Sequence, residues 1–110
     1  MAKHCLALDL VNDAALIAEY ERWHQNVWVE IKESILTAGI SQMEIYRTGN
    51  RLFMIMETDE AFDSAKKTAM DAANPKVQEW EQLMSKFQQA LPWAKEGEKW
   101  IAMNKIFNLV

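Results

Sequence analysis

Segments with the side-chain period of a strand alternate along this chain with segments that have the period of a helix. Residues 5 to 11 place Leu6, Leu8 and Leu10 on one side of the backbone, which is the alternation expected of a strand. From residue 12 onward, apolar residues recur at three and four positions, as on the buried face of a helix. This change of period restricts the chain to folds in which helices pack on a sheet.

The first helix is predicted to run from a cap at Asn12 or Asp13 to about Ala38. A short side-chain oxygen at either capping position can accept hydrogen bonds from the free amides of the first turn. Gly39 offers the left-handed conformation that often follows a helix. One face of this helix carries Leu16, Tyr20, Trp23, Val27, Ile31 and Ile35.

A β-hairpin is predicted next, because residues 42 to 47 and 52 to 58 are rich in strand-favouring side chains. Gly49 and Asn50 lie at the centre of the short connection between them, and such residues are typical of hairpin turns. The hairpin supplies two neighbouring antiparallel strands.

Two helices and a last strand complete the predicted order of elements. Residues 59 to 73 have a helical period, and Asn74 with Pro75 suits the start of a second helix whose apolar face reaches Leu91. Residues 100 to 109 alternate again and are predicted to form the closing strand.

Two β-α-β units joined by a hairpin predict a ferredoxin-like α+β fold, with an antiparallel sheet and helices on one face. The 110 residues fit a single domain over residues 1 to 110. No predicted helix remains to cover the second face of the sheet, although that face also carries apolar side chains. We expect this face to bind a ligand, to pack on a second subunit, or to do both.

The charge balance argues against nucleic acid or a membrane as partner. The chain has 12 Lys and Arg against 16 Asp and Glu, a net charge of −4, and a polyanion would on average be repelled. Its one cysteine, Cys5, cannot form an internal disulfide, and we find no signal-peptide pattern or membrane-spanning segment. The expected location is therefore the reducing cytoplasm.

Tyr20, His24 and Trp28 are spaced four residues apart and would form one stripe on a continuous helix. An indole can cover the C–H face of a sugar ring, while a phenol and an imidazole can reach its oxygens. Opening a hemiacetal ring needs a group that gives and takes protons near neutral pH, as imidazole does. This chemistry requires neither a metal nor an organic cofactor.

A purely structural role for these residues competes with the catalytic one. An aromatic stripe in a long helix is usually part of a core, and a lone histidine is more often structural or exposed than catalytic. Trp80 lies on the apolar face of its predicted helix, and Tyr46 is as suited to bracing the sheet as to facing a ligand. Spacing alone leaves both interpretations open. Metal binding is not expected, since His4, Cys5 and His24 lack the spacing of a structural zinc site.

The segment YERWHQNVWVEI, residues 20 to 31, resembles the Y-x-x-x-H-x-x-x-W-x-E-[LI] signature of the L-rhamnose mutarotase family. Other features similar to that family follow in the same order nearly to the end of the chain: Gly39, Ile45 with Tyr46, Leu52 to Glu57, Val77 to Trp80 and Ile106 to Leu109.

The resemblance implies a homodimeric ferredoxin-like domain, in a dimeric α/β-barrel-type assembly, that interconverts the α and β anomers of a free monosaccharide. L-rhamnose or a related 6-deoxy sugar is the implied substrate. The family pattern implies His24 as the general acid, Tyr20 as a sugar contact and Trp80 as the first of two tandem tryptophans in the pocket. With Trp28 and Tyr46, these residues form the expected site.

Three positions depart from the family pattern. Val29 replaces a proline, Met43 replaces a tyrosine and Glu81 replaces the second tandem tryptophan. The catalytic helix matches better than the rest of the pocket, so mutarotation is better defined than the sugar.

Two other classes of protein fit the same pattern. One is a binding module without catalysis, because a fold does not determine a function. The other is a cofactor-free monooxygenase of the dimeric α+β barrel type, which also uses one helix histidine and aromatic walls. Anomer exchange would distinguish a mutarotase from the first, and oxygen consumption with a quinol-like substrate would identify the second.

Overall fold

Helices pack on one antiparallel sheet in the computed structural model, which describes residues 2 to 110. Within these residues the elements are β1 (Ala2–Leu10), α1 (Ala14–Gln25), α2 (Val29–Thr37), β2 (Ile40–Thr48), β3 (Arg51–Thr58), α3 (Ser64–Ala72), α4 (Pro75–Ser85), β4 (Gln88–Gln89) and β5 (Ile101–Ala102). No helix in the described part of the chain is long and apolar enough to cross a membrane.

The sheet is organised around β1. Its strand order is β2-β3-β1-β4, and β5 also pairs with β1. Along one edge, β1 pairs with β3 from Ala2 opposite Thr58 to Asp9 opposite Arg51. The short strands β4 and β5 pair with successive parts of its other edge. Every pair is antiparallel, and the predicted ferredoxin-like α+β fold is confirmed.

The core lies between the sheet and the helices. Leu8 pairs with Leu52 across β1 and β3, and both side chains are almost completely buried. The buried cluster on this side of the sheet consists of Leu10, Tyr20, Ile31, Leu52, Val77, Trp80, Met84 and Phe87.

Alternate residues of the same strands form the other side, called here the outer face. The register pairs Phe53 with Ala7 on one side and with Tyr46 on the other, and it pairs Ile55 with Cys5. Tyr46 is 53% exposed. Ala7, Phe53 and Ile55 therefore give the outer face an apolar centre.

The prediction of one helix as far as Ala38 was wrong. Asp13 does cap α1, since its side chain accepts from the amide of Leu16 at 3.0 Å. The helix nevertheless ends at Gln25 because Asn26 takes a non-helical backbone conformation, with φ −141° and ψ 67°. A second helix begins after Trp28. The break allows both Val27 and Trp28 to pack against the core cluster.

The predicted bounds of the last two helices were also wrong. The third helix begins at Ser64, capped by Asp63, because residues 59 to 62 form turns around Asp59. Asn74 caps α4 as predicted, with Pro75 in its first turn, but α4 ends at Ser85.

Two further assignments near the end of the chain, one helical and one of a strand, were wrong. Residues 88 and 89, expected in a helix, form β4 and pair with β1, because the amide of Val11 binds the carbonyl of the fully buried Phe87 at 2.8 Å. The strand expected over residues 100 to 109 is regular only at Ile101–Ala102. After the amide of Met103 bonds to the Cys5 carbonyl, the chain leaves the sheet.

Gly39 connects α2 to β2 with a positive φ of 98°, and a Cβ there would lie 2.7 Å from Asp59 Oδ1 and 3.3 Å from the Cα of Phe62. We therefore expect Gly39→Ala to lower the free energy of unfolding by roughly 3 kcal/mol. Gly49→Ala is the control, because φ is 56° there and no atom lies within 4 Å of the added Cβ. It should cost about 1 kcal/mol. Urea unfolding measures both, and equal losses would refute the proposed crowding at Gly39.

Candidate active site

His24 lies in the last turn of α1 and is partly buried. Its Nδ1 is 2.8 Å from the carbonyl oxygen of Tyr20, one turn earlier. A carbonyl oxygen can only accept a hydrogen bond, so Nδ1 must carry a proton and donate it. Nε2 is then the ring nitrogen that gains or loses a proton.

An aromatic cluster formed by Tyr20, Trp23, Trp28 and Trp80 lies beside this imidazole, and two of its rings contact it. The ring of Tyr20 lies 4.3 Å from that of His24, and the ring of Trp80 lies 5.8 Å from it, measured between centroids. Trp80 also contacts Trp28 edge-on at 5.1 Å and Trp23 at 6.3 Å. The imidazole ring is therefore packed on one side by aromatic rings.

A cavity of about 470 Å³ lies between the first two helices and β2, and His24 is one of its walls. This volume is within the range of small-molecule sites. Its apolar lining comes from Val27, Ile35, Leu36, Ile40, Met43 and Ile45. Its polar lining, besides His24, comes from Lys32, Ser41 and Gln42.

Not all the predicted site residues lie together. Tyr20 and Trp80 pack against His24 but are buried and do not line the cavity. Trp28 precedes α2 and contacts Trp80 and Trp23 of the aromatic cluster. Tyr46 lies on the outer face, where its hydroxyl donates to Glu44 at 2.7 Å.

The departures from the family pattern fall in different environments. Met43 lines the cavity together with His24, whereas Glu81 is exposed on α4. Sequence reasoning missed the contribution of Lys32 and Gln42 to the cavity. For the strand side of the cavity, the available signal was the alternation of side chains along β2, since Met43 and Ile45 belong to the strand face that meets the helices.

Burial changes the acidity of the Tyr20 phenol. Desolvation raises the pKa of Tyr20 to about 12, although a hydrogen bond with the side chain of Gln88 acts in the opposite direction. The phenol therefore stays protonated at physiological pH and can act only as a neutral group.

A second cleft of about 380 Å³ is lined by Glu19, Arg22, Trp23 and Asn26. It does not include His24. The cavity that contains an acid-base group is therefore the better candidate for a site of chemistry.

The fold and this cavity define a small α+β domain with one histidine available to a ligand, and comparison with known proteins identifies the family. The profile of the L-rhamnose mutarotase family matches residues 3–109. An L-fucose mutarotase of Xanthomonas campestris pv. campestris is 50% identical, over 99% of this chain and 89% of its own length.

Two solved structures share the fold. The crystal structure of an L-rhamnose mutarotase from Formosa agariphila matches with a TM-score of 0.73 and 19% identity, over 100% of both chains. Tetracenomycin F2 cyclase from Streptomyces glaucescens, a type-II polyketide cyclase, matches with a TM-score of 0.61 and 14% identity, over 98% of both chains.

This chain belongs to the L-rhamnose mutarotase family. It is therefore a sugar mutarotase, an isomerase acting on a monosaccharide, as the sequence predicted. The binding-module and monooxygenase alternatives are set aside by this membership.

The raised pKa of Tyr20 predicts a loss of stability at high pH. The unfolded phenol loses its proton near pH 10 and the folded one near pH 12. As pH rises through this window the unfolded state is favoured, and the free energy of unfolding should fall by up to about 3 kcal/mol. Tyr20→Phe should lose less over the same window in urea titrations. Tyr46→Phe is the comparison: the hydrogen bond with Glu44 also raises the pKa of Tyr46, but that phenol is exposed to solvent, so this variant should differ less from the parent than Tyr20→Phe does. An unchanged slope in Tyr20→Phe would contradict the assignment.

Proposed function

We propose that this protein exchanges the α and β anomers of L-fucose, and of L-rhamnose less efficiently, with His24 as the proton donor. The observation that carries the proposal is the bond between His24 Nδ1 and the Tyr20 carbonyl. That bond leaves Nε2 available on a residue that lines the cavity. The rings of Tyr20 and Trp80 pack against the imidazole and hold it in place.

In the proposed reaction His24 gives one proton from Nε2 to the sugar and later takes one back at the same nitrogen. The imidazolium donates its Nε2 proton to the sugar ring oxygen while the proton of the C1 hydroxyl passes to solvent, and the bond between C1 and the ring oxygen breaks. Rotation about the C1–C2 bond of the open aldehyde exposes its other face. The C5 hydroxyl then attacks C1 and returns its proton to Nε2, while the carbonyl oxygen takes one from solvent.

A 6-deoxy sugar suits the lining of the cavity. Its C6 methyl group would lie against apolar side chains such as Ile35 and Ile45, while Lys32 and Gln42 offer donors to its hydroxyls. L-fucose and L-rhamnose share this methyl group and differ in the orientation of the hydroxyls at C2 and C4. The 50% identity to an L-fucose mutarotase favours L-fucose, and so does Met43, which replaces a hydrogen-bonding phenol by a thioether.

The proposed working form is a cytoplasmic homodimer of single-domain subunits. The outer face has an apolar centre at Ala7, Phe53 and Ile55, and the paired residues Asp9 and Arg51 mark its charged rim. This distribution is typical of protein interfaces. In such a dimer Tyr46 would lie at the interface rather than against the sugar.

The first test concerns His24. We expect His24→Asn to slow anomer exchange by roughly two orders of magnitude, the usual effect of losing a positioned acid. Tyr20→Phe should slow exchange less, because it keeps the ring and the backbone carbonyl that binds Nδ1. Saturation-transfer NMR measures the exchange rate directly.

His4→Asn is the matched control, because His4 is the other histidine of the chain and bonds to Thr58 instead. It should leave exchange unchanged. Thermal unfolding on the same samples separates catalysis from folding. A well-folded His24→Asn variant with the parent rate would remove His24 from the mechanism.

The second test concerns the sugar. We expect the unmodified protein to exchange L-fucose faster than L-rhamnose in parallel NMR measurements. Met43→Tyr should change the ratio of the two rates by about fivefold in favour of L-rhamnose, roughly the effect of one hydrogen bond. Glu81→Trp, at an exposed position outside the cavity, should leave the ratio unaltered. Faster exchange of L-rhamnose by the unmodified protein would show that the proposed preference is wrong.

A further inference from the structure

Of the described residues that line the His24 cavity, Lys32 is the one with a primary amine. It belongs to α2, where Lys32, Ile35 and Leu36 are three and four residues apart and all line the cavity. Residues at this spacing share one face of a helix. The four-carbon stem of Lys32 therefore starts from the α2 face that borders the cavity.

The surroundings of Lys32 leave its amine available to a ligand. Among the described residues, the other side chains that line the cavity are six apolar ones, a hydroxyl, an amide and the His24 imidazole, with no carboxylate. Lys67, Lys76 and Lys86 each lie within ion-pair distance of a carboxylate. Lys32 makes no such pair with any residue in the described part of the chain.

The proposed anomer exchange produces an aldehyde in this same cavity. Opening of the sugar ring converts C1 into a carbonyl carbon, which remains until the C5 hydroxyl attacks it. A neutral primary amine also attacks an aldehyde carbon. Two groups held in one cavity react far faster than the same groups free in solution, because their encounter no longer costs translational freedom. Lys32 is therefore placed to compete with the C5 hydroxyl for C1.

Ring opening also leaves His24 in the protonation state that assists this competing reaction. Donation to the ring oxygen leaves Nε2 without a proton, whereas Nδ1 keeps the proton that it donates to the Tyr20 carbonyl. An unprotonated Nε2 can take the proton that an amine nitrogen loses when it bonds to carbon. The same ring nitrogen can then return this proton to the hydroxyl that leaves as water.

We propose that Lys32 is a covalent modification site for open-chain α-hydroxyaldehydes, above all for the aldose that the cavity opens. In the first step Nζ bonds to C1, the carbonyl oxygen takes a proton from solvent, and Nζ loses a proton to Nε2 of His24. In the second step His24 gives this proton to the new C1 hydroxyl, the bond between C1 and that oxygen breaks, water leaves, and the nitrogen lone pair forms a C=N bond. The product is a protonated imine, formed without an oxidant or a reductant.

The imine occupies the cavity and stops anomer exchange until water releases the sugar. This inference rests on the proposed function for its sugar, because ring opening supplies the aldehyde. The reactivity of the amine is measurable separately with glycolaldehyde, an α-hydroxyaldehyde that has no ring to open.

Reductive trapping locates the adduct. The full chain is incubated with L-fucose at about pH 8, where more lysine amines are neutral than at pH 7. Sodium cyanoborohydride reduces the imine to a stable secondary amine, and peptide mass spectrometry quantifies each modified lysine. We expect Lys32 to be modified at least about tenfold faster than Lys66, a small part of the rate gain that proximity can give. Lys66 is the reference because it is an exposed lysine of α3 outside the cavity. Equal rates at the two lysines would overturn the proposal.

Two variants test the consequence for the site. Trapping with L-fucose should progressively abolish anomer exchange by the parent and by the control Lys66→Arg. Lys32→Arg carries a guanidinium that stays protonated and forms no imine, so it should keep its own starting exchange rate through the same treatment. Each variant is compared with its own untreated sample, which removes any contribution of Lys32 to sugar binding. Loss of exchange by Lys32→Arg as fast as by the parent would contradict the proposed site.

Failure of the proposed function would be visible separately. If saturation-transfer NMR shows no exchange of L-fucose by the unmodified protein, the proposed function fails. Trapping with glycolaldehyde then decides the role of Lys32. Modification of Lys32 faster than Lys66 supports the covalent site, and equal rates overturn it.

Discussion

Packing around Trp80 determines most of what surrounds the candidate site. Its indole contacts Trp23 and His24 on α1 and Trp28 before α2, so one residue of α4 joins both halves of the broken helix to the core. Edge-to-face aromatic pairs contribute about 0.5–1.5 kcal/mol each beyond their burial. Because this packing requires α1 to end at Gln25, His24 lies at a helix end, beside a cavity.

The sequence predicted those parts of the fold that depend on local chemistry. The period of β1, the turn at Gly49 and the capping residues Asp13 and Asn74 all correspond to the structure. The break at Asn26 was not predictable, because the apolar spacing continues through it and the break depends on contacts with α4. The strand at residues 88 and 89 was missed for a similar reason, since it forms by pairing with β1, which lies far away in the sequence.

The residues of the candidate site likewise separate into those that local sequence predicted and those that depend on distant contacts. His24 and Tyr20 were found because residues four apart on one helix meet regardless of the rest of the fold. Tyr46 was expected near them, but β2 presents alternate residues to opposite faces, and Ile45 is the one that packs against the core. Lys32 and Met43 enter the cavity from α2 and β2, whose relative position depends on the helix break. A sequence pattern alone does not show how α2 and β2 lie relative to each other.

In the proposed mechanism the Tyr20 carbonyl fixes the His24 tautomer and leaves Nε2 to act on the sugar. Long-range ¹H–¹⁵N NMR of the two imidazoles, assigned with a variant that lacks His4, tests this directly. We expect neutral His24 to carry its proton on Nδ1 and added L-fucose to shift the Nε2 resonance. A neutral His24 protonated on Nε2, or an Nε2 resonance that does not move at sugar concentrations supporting exchange, would contradict this mechanism.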